Sequence, residues 1–267
     1  MIILLLLLGV FTGILAGVFG IGGGVLFTPV LFFIFSSIGI EQPVVWTIGT
    51  SLFCTFTAAL SSSIQQVKQR NSYISEGVKI GLLGALGVFI GKQITTSRFY
   101  TEEIFVLFFA LLLLMVSWMF YRRGKGQVLT EKNEKPVRLK ESFAAGLGGG
   151  FVAALAGVGG GIVVVPALNL GYKIDIAKTV SISSLAVLLI SLSGWLQFAF
   201  LSGSIIGATE YTIGYVDFGT GLPLIIGAFA GGFIGVKAAK KIPEERRQIA
   251  FSVLAVIIAF LMVYSLW

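Results

Sequence analysis

The 267-residue chain is 56% hydrophobic and 12% charged, with a mean hydropathy of +0.98. A soluble domain carries about one quarter charged residues, so the composition excludes a soluble globular protein and points to a polytopic membrane protein. The 19 Lys and Arg outweigh the 12 Asp and Glu, but these charges fall in loops, where they report topology rather than nucleic-acid binding. With no histidine and only Cys54, an internal disulfide, a His/Cys metal site and histidine-dependent nucleophilic catalysis are excluded. No dinucleotide-binding strand–turn–helix unit is present, so no cofactor, no metal and no enzymatic activity are expected.

The first apolar segment runs from Met1 to about Ser36. Its start could pass for a signal peptide, but it lacks a basic leader and aligns with an internal stretch near Gly146. It is broken at Gly20-Ile21-Gly22-Gly23-Gly24, five residues before Pro29. Further segments run from about Gln42 to Gln65, Ile74 to Gly91 and Glu102 to Tyr121. A polar stretch, 122–140, links this half to the next and is expected to be cytoplasmic. The pattern then repeats at about Glu141–Leu170, Ile176–Phe200, Phe218–Ala239 and Glu245–Trp267, with an added loop at about 202–215. The expected organisation is therefore a first membrane repeat at 1–121, the linker at 122–140 and a second repeat at 141–267.

The second half carries the same break, Gly157-Val158-Gly159-Gly160-Gly161, again five residues before a proline, Pro166, and 137 residues on from the first. Other positions also correspond: Thr47, Ser51 and Gln65 with Thr179, Ser183 and Gln197, and Gly87 to Gly91 with Gly231 to Gly235. Thr101 reads as an N-cap and Pro243 as a first-turn proline, each followed by two glutamates that complement a helix start. Adjacent glycines cost a helix about 1 kcal/mol each relative to alanine. Unwound backbone at membrane depth is tolerated only where protein or a cavity covers it, and paired breaks of this kind point to a transporter's binding site.

Basic residues choose between two topologies. If each broken segment crosses once, the loop Lys and Arg divide nine to nine; if each enters and returns on one side, they divide sixteen to two, with Lys79 inside a segment. The positive-inside rule prefers the second. About 30 residues of helix reach roughly 45 Å, too short for two passes of a roughly 30 Å core. The expected fold is thus all-α: two inverted repeats, each a glycine-broken re-entrant hairpin plus three transmembrane helices, with both termini outside.

A helix restarting after the glycines presents unpaired N–H groups and the positive end of its dipole, and glycine lets an anion approach closely. Hydroxyls on the following helices can donate to an oxyanion without adding charge. The expected substrate-binding set is Gly22, Gly23, Gly24, Thr50, Ser51, Gly159, Gly160, Gly161, Ser181 and Ser183. Gly20, Pro29, Gly157 and Pro166 are the hinge and helix-start positions. Gly9, Gly13, Gly146 and Gly150 are read as helix-packing glycines, and Cys54 as a small packed residue. Deep ionisable side chains are nearly absent, which disfavours cation transport.

The two Gly-x-Gly-Gly-Gly-(four residues)-Pro stretches, each followed by a Ser/Thr-rich helix (Thr47-Ile48-Gly49-Thr50-Ser51-Leu52 and Thr179-Val180-Ser181-Ile182-Ser183-Ser184), resemble the sulfite exporter TauE/SafE family over nearly the whole chain. Gly49-Thr50-Ser51 keeps the family pattern, whereas the second half reads Ser181-Ile182-Ser183. The resemblance implies a cytoplasmic-membrane permease for sulfite, sulfonates or related small anions. Expected partners are that anion and the lipid bilayer, not nucleic acid; a homo-oligomer is compatible with the sequence. The rival readings are a non-transporting membrane partner protein and a passive anion channel.

Overall fold

A computed structural model of the chain describes residues 2–19, 24–68, 73–124, 137–201 and 207–267. Among these the elements are α1 (Ile2–Phe19), α2 (Gly24–Ile38), α3 (Pro43–Lys68), α4 (Ile74–Thr95), α5 (Glu102–Gly124), α6 (Leu139–Ala156), α7 (Gly161–Pro166), α8 (Ile176–Ala199), α9 (Phe218–Ala239) and α10 (Glu244–Tyr264). A π-helical turn, Ala167–Gly171, continues α7, and a two-residue hairpin, β1 (Thr212–Ile213) with β2 (Val216–Asp217), precedes α9. Seven helices among the described residues are long and apolar enough to cross a membrane: α1, α3, α4, α5, α8, α9 and α10. The protein is an all-α polytopic membrane protein.

The helices follow the apolar runs with small changes at their ends. α5 reaches Gly124, beyond the boundary read at Tyr121. The stretch after the second break is a helix only to Pro166 and then widens into the π turn. Proline lacks the N–H that a regular ladder needs, which accounts for a change of register at this point.

Glycine faces set which helices meet. A side chain added at Gly9 or Gly13 would strike the α9 backbone at Leu224 or Ala228, and one added at Gly227, Gly231 or Gly235 would strike α1 at Leu6, Val10 or Ile14. The register rises in both helices together, so α1 and α9 run parallel in close backbone contact. Gly146 and Gly150 do the same for α6 against Ile80 and Gly84 of α4, with Gly87 and Gly91 returning the contact at Leu147 and Phe151. Such small-residue faces give tight packing where lipid supplies no hydrophobic drive. α5 pairs with α10, where Ser117 Oγ donates to the Ser252 carbonyl at 2.8 Å and Phe120 lies 4.7 Å from Phe251. α3 and α8 pack together at the centre.

These pairings define two ends of the bundle. At the hairpin end, Trp46 of α3 packs on Tyr215 of the β turn at 5.4 Å, and Phe35 of α2 packs on Trp46 at 6.5 Å. α1 starts at this same end, because it runs parallel to α9. α1 and α2 therefore form a hairpin whose outer ends both face β1–β2. At the linker end, Lys178 of α8 pairs with Glu76 of α4 at 3.6 Å and lies 4.6 Å from the Tyr73 ring. α6 starts here, running with α4, and the turn after α7 returns here before α8.

Candidate functional site

The second break is fully described. Gly157 caps α6 in a left-handed conformation (φ 72°), its N–H donating to the Ala153 carbonyl at 2.8 Å. Gly159 and Gly160 follow at φ 70° and 80°. Only glycine takes such angles without strain. The Gly160 carbonyl then accepts from both Val163 and Val164 N–H at 3.0 Å, which starts α7. A side chain at Gly160 would also sit 2.6 Å from the Gly149 carbonyl oxygen of α6. Of the first break, Gly24 is described; Gly20, Gly22 and Gly23 lie outside the described residues.

The two breaks touch. A Cβ on Gly24 would lie 2.8 Å from both the Val158 carbonyl oxygen and Thr55 Oγ1, and one on Gly159 would lie 2.5 Å from Thr55 Cγ2. Thr55 of α3 thus stands between the start of α2 and the turn before α7. Beside it, buried hydroxyls run from one break to the other. Thr28 Oγ1 lies 3.1 Å from the Gly24 carbonyl it donates to and 2.9 Å from Ser51 Oγ, and Ser51 donates to the Gly157 carbonyl at 2.9 Å. Two hydroxyl protons face three contacts, so whichever contact takes neither proton is an oxygen–oxygen approach without a hydrogen bond of its own.

A cavity of about 390 Å³ opens from this junction. Gly24, Thr55 and Val158 lie at its inner end, Gly161 and Ile162 of α7 and Ser183, Ser184 and Val187 of α8 form one wall, and Ala58, Ala59 and Ser62 continue α3 outward. Its mouth lies at the linker end, between Met119 and Phe120 of α5, Phe19 of α1, and Glu244, Arg247 and Gln248 of α10. The walls are mainly apolar. Thr55 is buried and among the described residues its hydroxyl has no hydrogen-bond partner, not even the carbonyl one turn back that usually takes a helical threonine's proton.

Toward the hairpin end the junction is closed. Phe53 packs on Trp195 at 5.7 Å and on Phe218 at 4.8 Å. Above this layer, Thr50 Oγ1 accepts from the Asp217 N–H at 3.0 Å. Asp217 is wholly buried and caps α9: its carboxylate accepts from Thr220 N–H at 2.9 Å, Thr209 N–H at 3.0 Å and Thr209 Oγ1 at 2.6 Å. The tyrosine of the turn, Tyr215, has its hydroxyl pKa pushed up by burial and by the Glu41 carboxylate.

Of the residues singled out from the sequence, Gly24, Gly161, Ser183 and Pro166 line the cavity. Gly159 and Gly160 sit behind it against Thr55 and Gly149. Ser51 joins the two breaks, and Thr50 binds the hairpin end. Ser181 is buried and its carbonyl takes the Ser184 hydroxyl at 2.9 Å; Ser183 bonds back to Val180 at 3.1 Å. Asn169 donates to the Ile174 carbonyl at 2.9 Å, bracing the turn after α7. Pro29 is buried in the interior of α2. Thr55, Arg247 and Asp217 were not singled out. Thr55 continues the spacing Thr47, Ser51 along one face of α3, and Asp217 stands three residues before Thr220 as an N-cap does; both signals are in the sequence. Arg247 gave no such signal, since it reads as one more basic residue at a segment end.

A sequence description of the sulfite exporter TauE/SafE family matches residues 5–262. The chain is 29% identical over 260 residues to a probable membrane transporter protein of Methanocaldococcus jannaschii, covering 97% of this chain and 94% of the relative. It is 27% identical to a probable membrane transporter protein of Haemophilus influenzae (97% and 96% covered) and 23% identical to the probable membrane transporter protein YunE of Bacillus subtilis (98% and 97% covered).

Proposed function

The chain belongs to the sulfite exporter TauE/SafE family, and from that premise we propose that it is a secondary transporter moving small sulfur-containing oxyanions, such as sulfite or organosulfonates, across the cell membrane. The observation that carries this reading is the meeting of both glycine breaks at the inner end of one cavity, beside an unpartnered threonine hydroxyl. The N–H groups where α2 and α7 begin, with Gly24 and Gly159 to Gly161 keeping side chains away, receive the oxyanion. Thr55 and the α8 serines Ser181 and Ser183 supply or support hydroxyl donors, Ser51 holds the breaks in register, and Thr50 ties α3 to the hairpin end. Donors arranged in advance bind a charge without reorganising around it, and they release it when the cavity turns to the other side.

The pairing of helices supports an inverted-repeat mechanism. Exchanging the halves turns the α1–α9 contact into the α6–α4 contact and leaves α3–α8 and α5–α10 unchanged. The two broken hairpins return to opposite ends of the bundle. Rocking one half against the other about the central α3–α8 contact closes the linker-end mouth and parts the Phe53–Trp195–Phe218 layer. With the linker cytoplasmic, as the basic residues argue, this conformation faces the cytoplasm and both termini lie outside.

Flux of sulfite and ethanesulfonate into liposomes holding the purified protein tests the proposal. The expected result is saturable flux with counterflow, lost in Gly23→Leu and Gly160→Leu. Non-saturating flux without counterflow indicates a passive channel. No flux, or flux unimpaired in both variants, ends the reading.

A further inference from the structure

Among the described residues the cavity has one basic side chain on its lining, Arg247, in the first turn of α10. Its Nη1 donates to the Val18 carbonyl at 3.3 Å, while its Nε is buried with no acceptor among the described residues. The neighbouring carboxylate is occupied elsewhere: Glu244 Oε1 accepts from Gln248 Nε2 at 2.9 Å, and no carboxylate pairs with Arg247 among the described residues. A partly covered guanidinium with no counter-charge and an idle N–H is costly in apolar surroundings. The group that satisfies it best is a planar or trigonal face of oxygens, because the guanidinium fork donates two parallel N–H bonds to such a face.

We propose that Arg247 is the anion-reading residue of the cavity, pairing with the oxyanion head of the substrate at the mouth before it reaches Thr55 and the glycine breaks. The inference rests on the transport reading given above. Arg247 holds a second role that this pairing disturbs. Val18 lies in the last turn of α1, where carbonyls lack partners within the helix, so Arg247 caps α1 immediately before the first break. An oxyanion that draws the guanidinium into the cavity draws it from that carbonyl. Occupancy of the mouth and the seating of α1 thus depend on one side chain, which gives the empty and loaded cavities different packing at the first hairpin.

The test is equilibrium binding of sulfite and of ethanesulfonate to the purified full chain, measured by calorimetry at several salt concentrations, for wild type, R247Q, R247K and E244Q. Loss of charge-assisted hydrogen bonds predicts affinity ~10- to 100-fold weaker in R247Q, with a flatter salt dependence. R247K keeps the charge without the fork and is expected to fall about tenfold. E244Q removes a like charge and is expected to bind as well as wild type or better. Wild type that binds neither anion overturns the transport reading and this proposal together. Wild type that binds while R247Q matches it overturns the role of Arg247 alone. Should R247Q fail to fold, R247K decides, and affinity equal to wild type overturns the proposal.

Discussion

Gly160→Ala probes the geometry of the second break directly. Gly160 sits at φ 80°, and an added Cβ would lie 2.6 Å from the Gly149 oxygen and 2.9 Å from its carbonyl carbon. The left-handed conformation costs an alanine about 1–2 kcal/mol. The collision is with backbone, which cannot swing aside as a flexible side chain would, and forcing such a contact adds about 1–3 kcal/mol. The sum is about 2–5 kcal/mol. Gly148→Ala is the matched control on the same helix pair: its Cβ would meet only Val163 Cγ1, at 3.6 Å, an ordinary contact. In the interior of α6 that alanine gains up to ~1 kcal/mol in helix propensity. At about 2–4 °C per kcal/mol for a chain of this size, Gly160→Ala lowers the melting temperature by ~4–20 °C and Gly148→Ala leaves it level or raises it. Size-exclusion chromatography of heated, detergent-solubilised samples reads both. Equal melting of the two variants would refute the strained-turn argument.

Ser51→Ala leaves the buried Gly157 carbonyl without its donor and is expected to cost about 1–3 kcal/mol in the same melting assay. Thr55→Val removes a hydroxyl that has no partner, so stability is expected to hold within about 0.5 kcal/mol, while affinity for sulfite falls; a stability loss like that of Ser51→Ala would show that the hydroxyl is structural. Asp217→Asn puts an NH2 donor where one accepting carboxylate oxygen stood, facing the N–H donors of Thr209 or Thr220, and at least one bond is lost; faster amide exchange across 209–217 is expected, and unchanged exchange would contradict the capping role. Burial raises the pKa of the Tyr100 hydroxyl, which donates to the Leu155 carbonyl at 2.8 Å. Its contribution to stability is complete below the ordinary tyrosine value of about 10 and is lost as pH rises through the raised folded value. Alkaline melting curves of Tyr100→Phe should lack that component, and identical curves would exclude it.

Much of the helix layout was legible because it rests on chain-local signals. Apolar runs bounded by charge gave the segments, and the glycines that pack α1 on α9 and α6 on α4 announce themselves by spacing of about four residues. The break at 157–161 was legible for the same reason: clustered glycine before a proline has few other uses in a membrane helix. Which hydroxyl faces the cavity was not. Ser51, Thr50 and Thr55 look alike in sequence, yet Ser51 bonds to the far break and Thr50 to Asp217, leaving Thr55 unpartnered. That division depends on contacts between residues more than a hundred positions apart. Arg247 was hidden for a related reason, since its place at the cavity mouth follows from the packing of α10 on α5 and α1. Asp217 read as one more charge at a segment end; its cap to Thr220 is local, but the Thr209 donors that complete its shell come from the added loop.

The central claim is that an oxyanion rests where the two breaks meet. Crystals or particles of the protein soaked with selenite, a heavier relative of sulfite, test it most directly through the position of the selenium signal. The account predicts a selenium atom at the inner end of the cavity, within hydrogen-bonding reach of the Gly24 and Gly161 backbones and of Thr55. Selenium bound only outside the cavity, or a cavity that stays empty at saturating selenite, would contradict it.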